Sequence, residues 1–387
     1  MRSFTVAERR ARLARRHFLA EPAPRTPADV AAALVGLHAT DPATPYLSLW
    51  ARIPGFDVGD LDCALYDDRS VVKHLAMRRT LWVLNATELP AVQAAASDRV
   101  AENERRKLVA DVEKAGIAPD GQAWLGAASA AVLAQLGANG PTSARDLRAA
   151  LPELAGNYDP APGKRWGGET PVSPRVLTVL AVEGIIVRGP NDGTWTSSRP
   201  RWASSPDWLG AASEPTAAEA ARALVVRAWL RAFGPATVDD VKWWFGNTLT
   251  WARAGLGDVG AVEVDVHGAT GYVLPDDLEP EPDVEPWYAL LPGLDVTTMG
   301  WQDRGWYLGD HRERVFDRNG NAGPTAWCNG RVVGGWRQDA DGRVELQLVE
   351  DIGRADAKAL ERKAKQLSEW LDGVRINPRF PSPLSKG

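Results

Sequence analysis

Gly140-Pro141-Thr142-Ser143 recurs further along the chain as Gly234-Pro235-Ala236-Thr237, and each copy stands between a long helix-periodic stretch and a short one. A Gly-Pro step cannot continue a helix. Ser143 and Thr237 each precede an acid by three residues, Asp146 and Asp240, so each offers a hydroxyl to a free backbone N–H at the start of a new helix. The pattern is therefore long helix, turn, capped short helix, stated twice. After the first copy the sequence predicts a third helix over about 173–183, a strand at 185–188, a Pro190-Asn191-Asp192-Gly193 turn and a return at 194–196. After the second it predicts a helix at 249–254, an alternating strand at 261–266 and a return at 271–274. Three helices followed by a hairpin is the order of a winged-helix unit, which commonly sets a helix or its wing in a DNA groove.

Toward the N-terminus the same order is looser. A basic amphipathic helix is expected near 5–19, opened by Thr5 and Glu8, and a second from 27 to about 38, opened by Thr26, Pro27 and Asp29. A helix near 60–67 follows, then strands around 73–77 and 80–85 joined by Met77-Arg78-Arg79-Thr80. Thr216 with Glu219 marks a further helix start. From Pro286 the composition turns to Trp, Gly and alternating apolar residues. There 332–337, an Asp339-Ala340-Asp341-Gly342 turn and 344–349 form a hairpin, trailed by a helix over 354–371 and an extended segment at 374–380. The expected class is α+β: winged-helix units at 1–120, 121–212 and 213–285, and a β-rich module at 286–387.

The chain has 387 residues, 44% of them hydrophobic and 25% charged, enough for several packed units. No apolar run approaches the roughly 20 residues of a membrane span, and the arginine-rich start lacks the apolar stretch of a secretory signal; the expected location is cytoplasmic. Cys63 and Cys328 stand far apart with no CxxC, and the five histidines form no HxxxH pair, so neither a disulfide framework nor a metal site is expected, and no cofactor. Gly255-Leu256-Gly257-Asp258-Val259-Gly260 satisfies GxGxxG but follows a helix and precedes a strand, the reverse of a dinucleotide site. The net charge of −5 conceals an uneven spread. Arg9, Arg12 and Arg16 share one face of the first helix, while the acids from Asp276 to Glu285 crowd a proline-broken stretch, and the reading keeps the two apart.

The most chemical stretch runs from Gly36-Leu37-His38-Ala39-Thr40-Asp41-Pro42 to Tyr46, Trp50 and Arg52. His38 and Thr40 are polar groups in apolar surroundings, and Pro42 disfavours helical geometry at Asp41, so His38 is expected at the frayed end of its helix. A lone histidine beside an apolar helix is more often a hydrogen-bonded core residue than a catalyst, and Tyr46 and Trp50, four apart, read most simply as one core-facing stripe.

This stretch resembles the signature of the winged-helix DNA glycosylases typified by AlkZ and YcaQ. A second block carries the same resemblance: 291–295, 298–301, 317–323, 330–336 and Pro378-Arg379-Phe380. Where the family usually has Gln, an apolar residue, then Gln or Asp, this chain has His38, Ala39 and Thr40. The resemblance implies a C-shaped molecule around a DNA channel, with His38 and Thr40 as catalytic residues and Asp41 supporting them from behind. It also implies a monomeric, monofunctional glycosylase that removes cationic N7-alkylguanine from double-stranded DNA. His at the first position recurs in members that protect makers of DNA-alkylating natural products, so bulky adducts and self-resistance belong to the expectation. In the family a β-hairpin near 299–318 reaches the DNA; Arg304, Arg312 and Arg314, set among aromatic residues, join Arg9, Arg12 and Arg16 as expected DNA contacts. The alternative is a non-catalytic winged-helix protein that binds DNA or sequesters a ligand.

Overall fold

The computed structural model describes residues 1–20, 25–161, 163–165, 167–210 and 215–386. Strand β1 (Ser3–Phe4), helix α1 (Val6–Arg16), helix α2 (Pro27–Ala33), strand β2 (Leu37–His38), helix α3 (Thr44–Trp50) and strands β3 (Val71–Leu75) and β4 (Leu81–Asn85) build the part that holds the motif. Thr5 caps α1 by accepting from the Glu8 N–H, and Thr26 and Asp29 close a reciprocal capping box on α2. Ser143 and Thr237 cap their helices in the same way. Thr216 does not: that helix, Ala218–Phe233, opens at Ala217 with no side-chain cap.

α2 is shorter than its periodicity suggests, and His38 is not on it. The chain turns left-handed at Val35 and Gly36, with φ of 55° and 102°. It then doubles back as β2, pairing Leu37 with Val83 and His38 with Trp82. A Cβ at Gly36 would lie 2.7 Å from Leu84 Cδ2 and 3.2 Å from Trp82 Cε3, so only glycine lets the chain run this close to β4. Sequence periodicity had no means of separating two residues of strand from the end of an apolar helix.

The three-stranded sheet β2–β4–β3 has two counterparts: Thr142–Ser143, Pro200–Ser204 and Ile186–Asn191 in one, and β1, Val262–Val266 and Ala269–Val273 in the other. Two differences from expectation matter. The return strand of the middle sheet is Pro200–Ser204, so 194–196 lie in a longer connection. In the last sheet Ser3–Phe4 adds a parallel strand to residues 262 positions away, a pairing with no local signal. Past Pro286, Tyr288–Leu291, Thr325–Cys328, Arg331–Gln338 and Val344–Leu348 form an antiparallel four-stranded sheet covered by the helix Arg354–Leu371. No strand pair forms within 299–318; the segment folds as two short helices, Gly305–Leu308 and Arg312–Val315, so the expected DNA-contacting hairpin is replaced by helical turns.

Burial explains how these parts are joined. One apolar core runs from Leu13 through Trp82, Trp229 and Trp244 to Trp327 and Leu384, uniting the motif region with the last two parts. A second core, from Leu108 to Trp202, lies mostly in the middle part, with Leu75 of β3 packed against it, while Val187, Ala203 and Trp208 of the middle part belong to the first core. Cys328 is buried and Cys63 half-exposed, both unpaired. Among the described residues no helix is long and apolar enough to cross a membrane. The expected boundary at 212–213 lies outside the described residues.

Candidate active site and groove

Opposed residues of an antiparallel pair share a face, and successive residues alternate. The register therefore puts His38, Trp82 and His74 on one face of the β2–β4–β3 sheet, and Leu37, Val83 and Lys73 on the other. His38 is 4% exposed, lies edge-on to Trp82 at 5.0 Å, and keeps a buried Nδ1 with no hydrogen-bond partner. Burial, and then the Arg78 guanidinium, pushes its pKa down to about 3 against a weaker pull from Asp295, so the imidazole is neutral at physiological pH.

Thr40 follows β2 and serves a different surface. Its hydroxyl oxygen accepts from the Leu81 N–H at 3.3 Å, and its carbonyl accepts from the Arg379 guanidinium at 3.3 Å. Asp41, 8% exposed, accepts from the Ala43 and Arg379 backbone N–H groups at 3.1 and 2.9 Å. Burial raises its pKa while these two bonds work against the rise. The carboxylate thus fastens the C-terminal segment across the motif.

Thr40 borders a cavity of about 180 Å³ whose wall includes Lys73, Arg79, Arg188 and Arg379, and whose described lining residues contain no carboxylate and no aromatic ring. His38 is not part of that wall, so the two motif residues do not face one cavity in this structure. Arg79 also borders a concavity of about 460 Å³ with Arg78, Arg99 and Arg106, and Arg379 borders one of about 840 Å³ with Arg312, Arg318 and Lys386. Sharing Arg79 and Arg379, the three make up a cation-rich groove whose walls also carry Glu102, Glu313 and Asp317, and Ala39 and Thr40, just past β2, line its middle cavity. Arg78 and Arg79 adopt φ of 56° and 60°, two consecutive non-glycine residues in the left-handed region, which costs about 1–3 kcal/mol each and is a common mark of functional sites. Gly246, itself left-handed, packs against the turn so closely that a Cβ would sit 3.2 Å from Arg78 Cα.

The predicted DNA contacts divide. Arg12 pairs with Asp277 at 3.0 Å and Arg16 with Asp277 at 2.7 Å, with Glu281 close to both. The acid stretch thus meets the basic helix in space, which corrects the reading that kept them apart. Arg9 is 6% exposed and stacks on Trp306, and Arg304, also 6% exposed, lies over Trp243 and Phe316; both are enclosed by aromatic rings. Arg312 lines the groove, whereas Arg314, exposed on the same short helix, does not. Sequence reasoning missed Lys73, Arg188 and Arg379 as groove residues. Arg379 carried a signal, since it falls within one of the quoted motif blocks; Lys73 and Arg188 looked like ordinary strand residues.

Beneath the groove the two motif blocks meet. Arg52, fully buried, donates to both carboxylate oxygens of Asp295 at 2.9 and 2.8 Å, and also to Thr297 Oγ1 and the carbonyls of His17 and Ser48. Ser48 Oγ donates to Asp295 at 2.6 Å, and Thr44 Oγ1 to the Gly293 carbonyl at 2.7 Å. A buried carboxylate so surrounded has a lowered pKa despite its desolvation, which its partners, Arg52 first, outweigh.

A family model described as AlkZ-like DNA glycosylase matches residues 31–370. An interstrand DNA cross-link repair glycosylase of Streptomyces sahachiroi is 31% identical over 215 residues; the match takes in 53% of this chain and spans 57% of that protein's length. The solved structure of the Streptomyces sahachiroi DNA glycosylase AlkZ superposes with a TM-score of 0.75 over 97% of this chain and 99% of that one, at 21% identity, a likeness of fold.

Proposed function

The chain belongs to the AlkZ-like DNA glycosylase family, and from that premise we propose that it is a monofunctional DNA glycosylase. It hydrolyses the N-glycosidic bond of N7-alkylguanine-type lesions in double-stranded DNA and leaves an abasic site. Bulky natural-product adducts and cross-links fall within this reading, as does self-resistance, given the activity for which the Streptomyces relative is named. In this reading the three small sheets with their helices are three tandem winged-helix units, which curl with the C-terminal module around the DNA, and the protein acts as a monomer.

The observation that carries the proposal is a neutral imidazole on β2, the strand that leads straight into Ala39 and Thr40 of the middle cavity of a cation-rich groove. Alkylation at N7 gives the base a positive charge and makes it a good leaving group, so no acid is needed to protonate it. What remains is to hold a water beneath C1′ as oxocarbenium character develops. A protonated histidine would repel that centre; neutral His38 can accept the water's proton, and its unpartnered Nδ1 has capacity to spare. Thr40, on the cavity side of the motif, supplies a hydroxyl there, and Asp41 holds the motif's end in place by anchoring Arg379. Because the register puts His38 on the face of β2 opposite Lys73 of the cavity wall, the reading requires DNA binding to bring the imidazole within reach of the reacting sugar.

The low exposure of His38 favours one rival, a winged-helix protein that binds DNA without cutting the glycosidic bond. One assay separates them. Purified protein is incubated with a duplex carrying a defined N7-guanine adduct, and abasic sites are then cleaved with alkali; strand breaks well above spontaneous depurination are expected, and their absence would eliminate the enzyme.

A further inference from the structure

The cavity beside Thr40 concentrates positive charge, and no carboxylate stands among its described lining residues. Lys73 is 7% exposed and hydrogen-bonds only a neutral phenol, Tyr66 Oη at 3.0 Å. Arg188 lies over Trp202 at 5.0 Å with its Nε buried and unpartnered. Arg379 donates to the Thr40 carbonyl, and among the described residues only Arg79 of the four closes an ion pair, with Glu104 at 2.9 Å. Burial and then Arg188 bring the Lys73 pKa down to about 8 against the pull of Asp62, and burial and then Arg379 bring Arg188 to about 10. These groups raise one another's energy, and an anion between them would reverse that.

We propose that this cavity is a phosphate subsite that seats the backbone phosphodiester next to the nucleotide being processed, a role that rests on the DNA-binding part of the function proposed above. Its four cations come from separate parts of the chain: β3, the turn before β4, the strand Ile186–Asn191 and the C-terminal segment. A phosphate gripped there ties the middle part of the molecule to the motif. The alternative occupant, the lesion base, is excluded twice. It is a cation until its bond breaks, and the wall offers it no aromatic ring on which an extruded base could stack. Thr40 stands at the rim, so a seated phosphate fixes the adjoining sugar next to the motif.

The test measures binding, not excision, so a protein that binds without cutting would still pass. Duplexes containing a tetrahydrofuran abasic analogue are made with a single neutral methylphosphonate at each linkage in turn around it. Dissociation constants are then measured for the wild type, Lys73→Gln, Arg188→Gln and Arg379→Gln. Neutralising one particular linkage should weaken wild-type binding about tenfold, and each variant should lose most of that sensitivity at the same linkage and at no other. Arg379 is on an exposed segment, so its variant keeps the test valid if the buried substitutions fail to fold. Fully additive losses at every linkage would overturn the proposal. So would binding of inorganic phosphate, followed by ³¹P line broadening and lost in the variants, without any such coupling on DNA; that result would mark a site for free anions.

Discussion

His38 is neutral because it is buried and because Arg78 is close, and both causes disfavour the charged ring. A catalytic base with a pKa near 3 is fully available above about pH 4.5. The kcat/KM for excision, which follows the free protein, should therefore stay level from pH 5 to 8, and an acid limb centred near 6.5 would show that the imidazole is not held as described before DNA binds. His38→Ala should lower excision by about 10²–10⁴ while leaving the salt dependence of DNA binding unchanged, since this residue meets no phosphate. Arg52 makes the opposite kind of contribution. Its ion pair with Asp295 is fully enclosed, so Arg52→Met leaves a buried carboxylate without its counter-charge and should cost about 3–5 kcal/mol by urea denaturation. At this scale the sequence revealed residue types but not their partners. Arg12 and Arg16 resembled phosphate ligands because Asp277 lies 265 and 261 positions away, and the same ignorance hid Lys73 and Arg188 in strands chosen for their apolar neighbours.

Elements were legible where their signals are local. Caps at Thr26, Ser143 and Thr237, the hairpin turn at 339–342 and the helix Arg354–Leu371 all follow from neighbouring residues. β2 was not, because two residues of strand have no period, and its existence depends on β4 being in place to receive it. The turn Met77–Arg79 shows the same dependence, since Gly246 from a distant helix end packs on two left-handed arginines. Gly246→Ala puts a side chain where φ is 60° and backbone is already close. It should cost about 1–2 kcal/mol in stability and weaken DNA binding by displacing Arg78 and Arg79. Wild-type binding with reduced stability would show that the turn has no part in holding DNA.

At the scale of the molecule, three enclosed histidines make stability depend on pH. His17, His38 and His74 have folded pKa values of about 3, 3 and 4, each lowered mainly by burial, from 6.5. The unfolded chain binds three protons that the folded one refuses, so their contribution is complete above pH 6.5 and is lost as pH falls. Glu88 opposes them: burial raises it from 4.5 to about 7, so the folded state takes up its proton first and gains stability on acidification. The net uptake on unfolding between pH 5 and 6 is about two protons, or on the order of 3 kcal/mol per pH unit. Urea titrations at pH 7, 6 and 5 should show that slope, and a flat profile would mean that the histidines are not enclosed.

The sequence by itself determined the α+β class, the repeated helix-and-hairpin order, most caps, and the two blocks of residues that place the chain in its family. These are properties of neighbouring residues, fixed by backbone sterics, hydrophobic period and short motifs. Tertiary structure alone decided that Ser3–Phe4 pairs with a strand near the other end of the chain, that Arg52 closes on Asp295, and that acids silence Arg12 and Arg16. It also set His38 and Thr40 on different surfaces and gathered Lys73, Arg79, Arg188 and Arg379 around one cavity. Burial and charge pairing act through space between residues hundreds of positions apart, and no local pattern in a chain records which of its distant segments will meet.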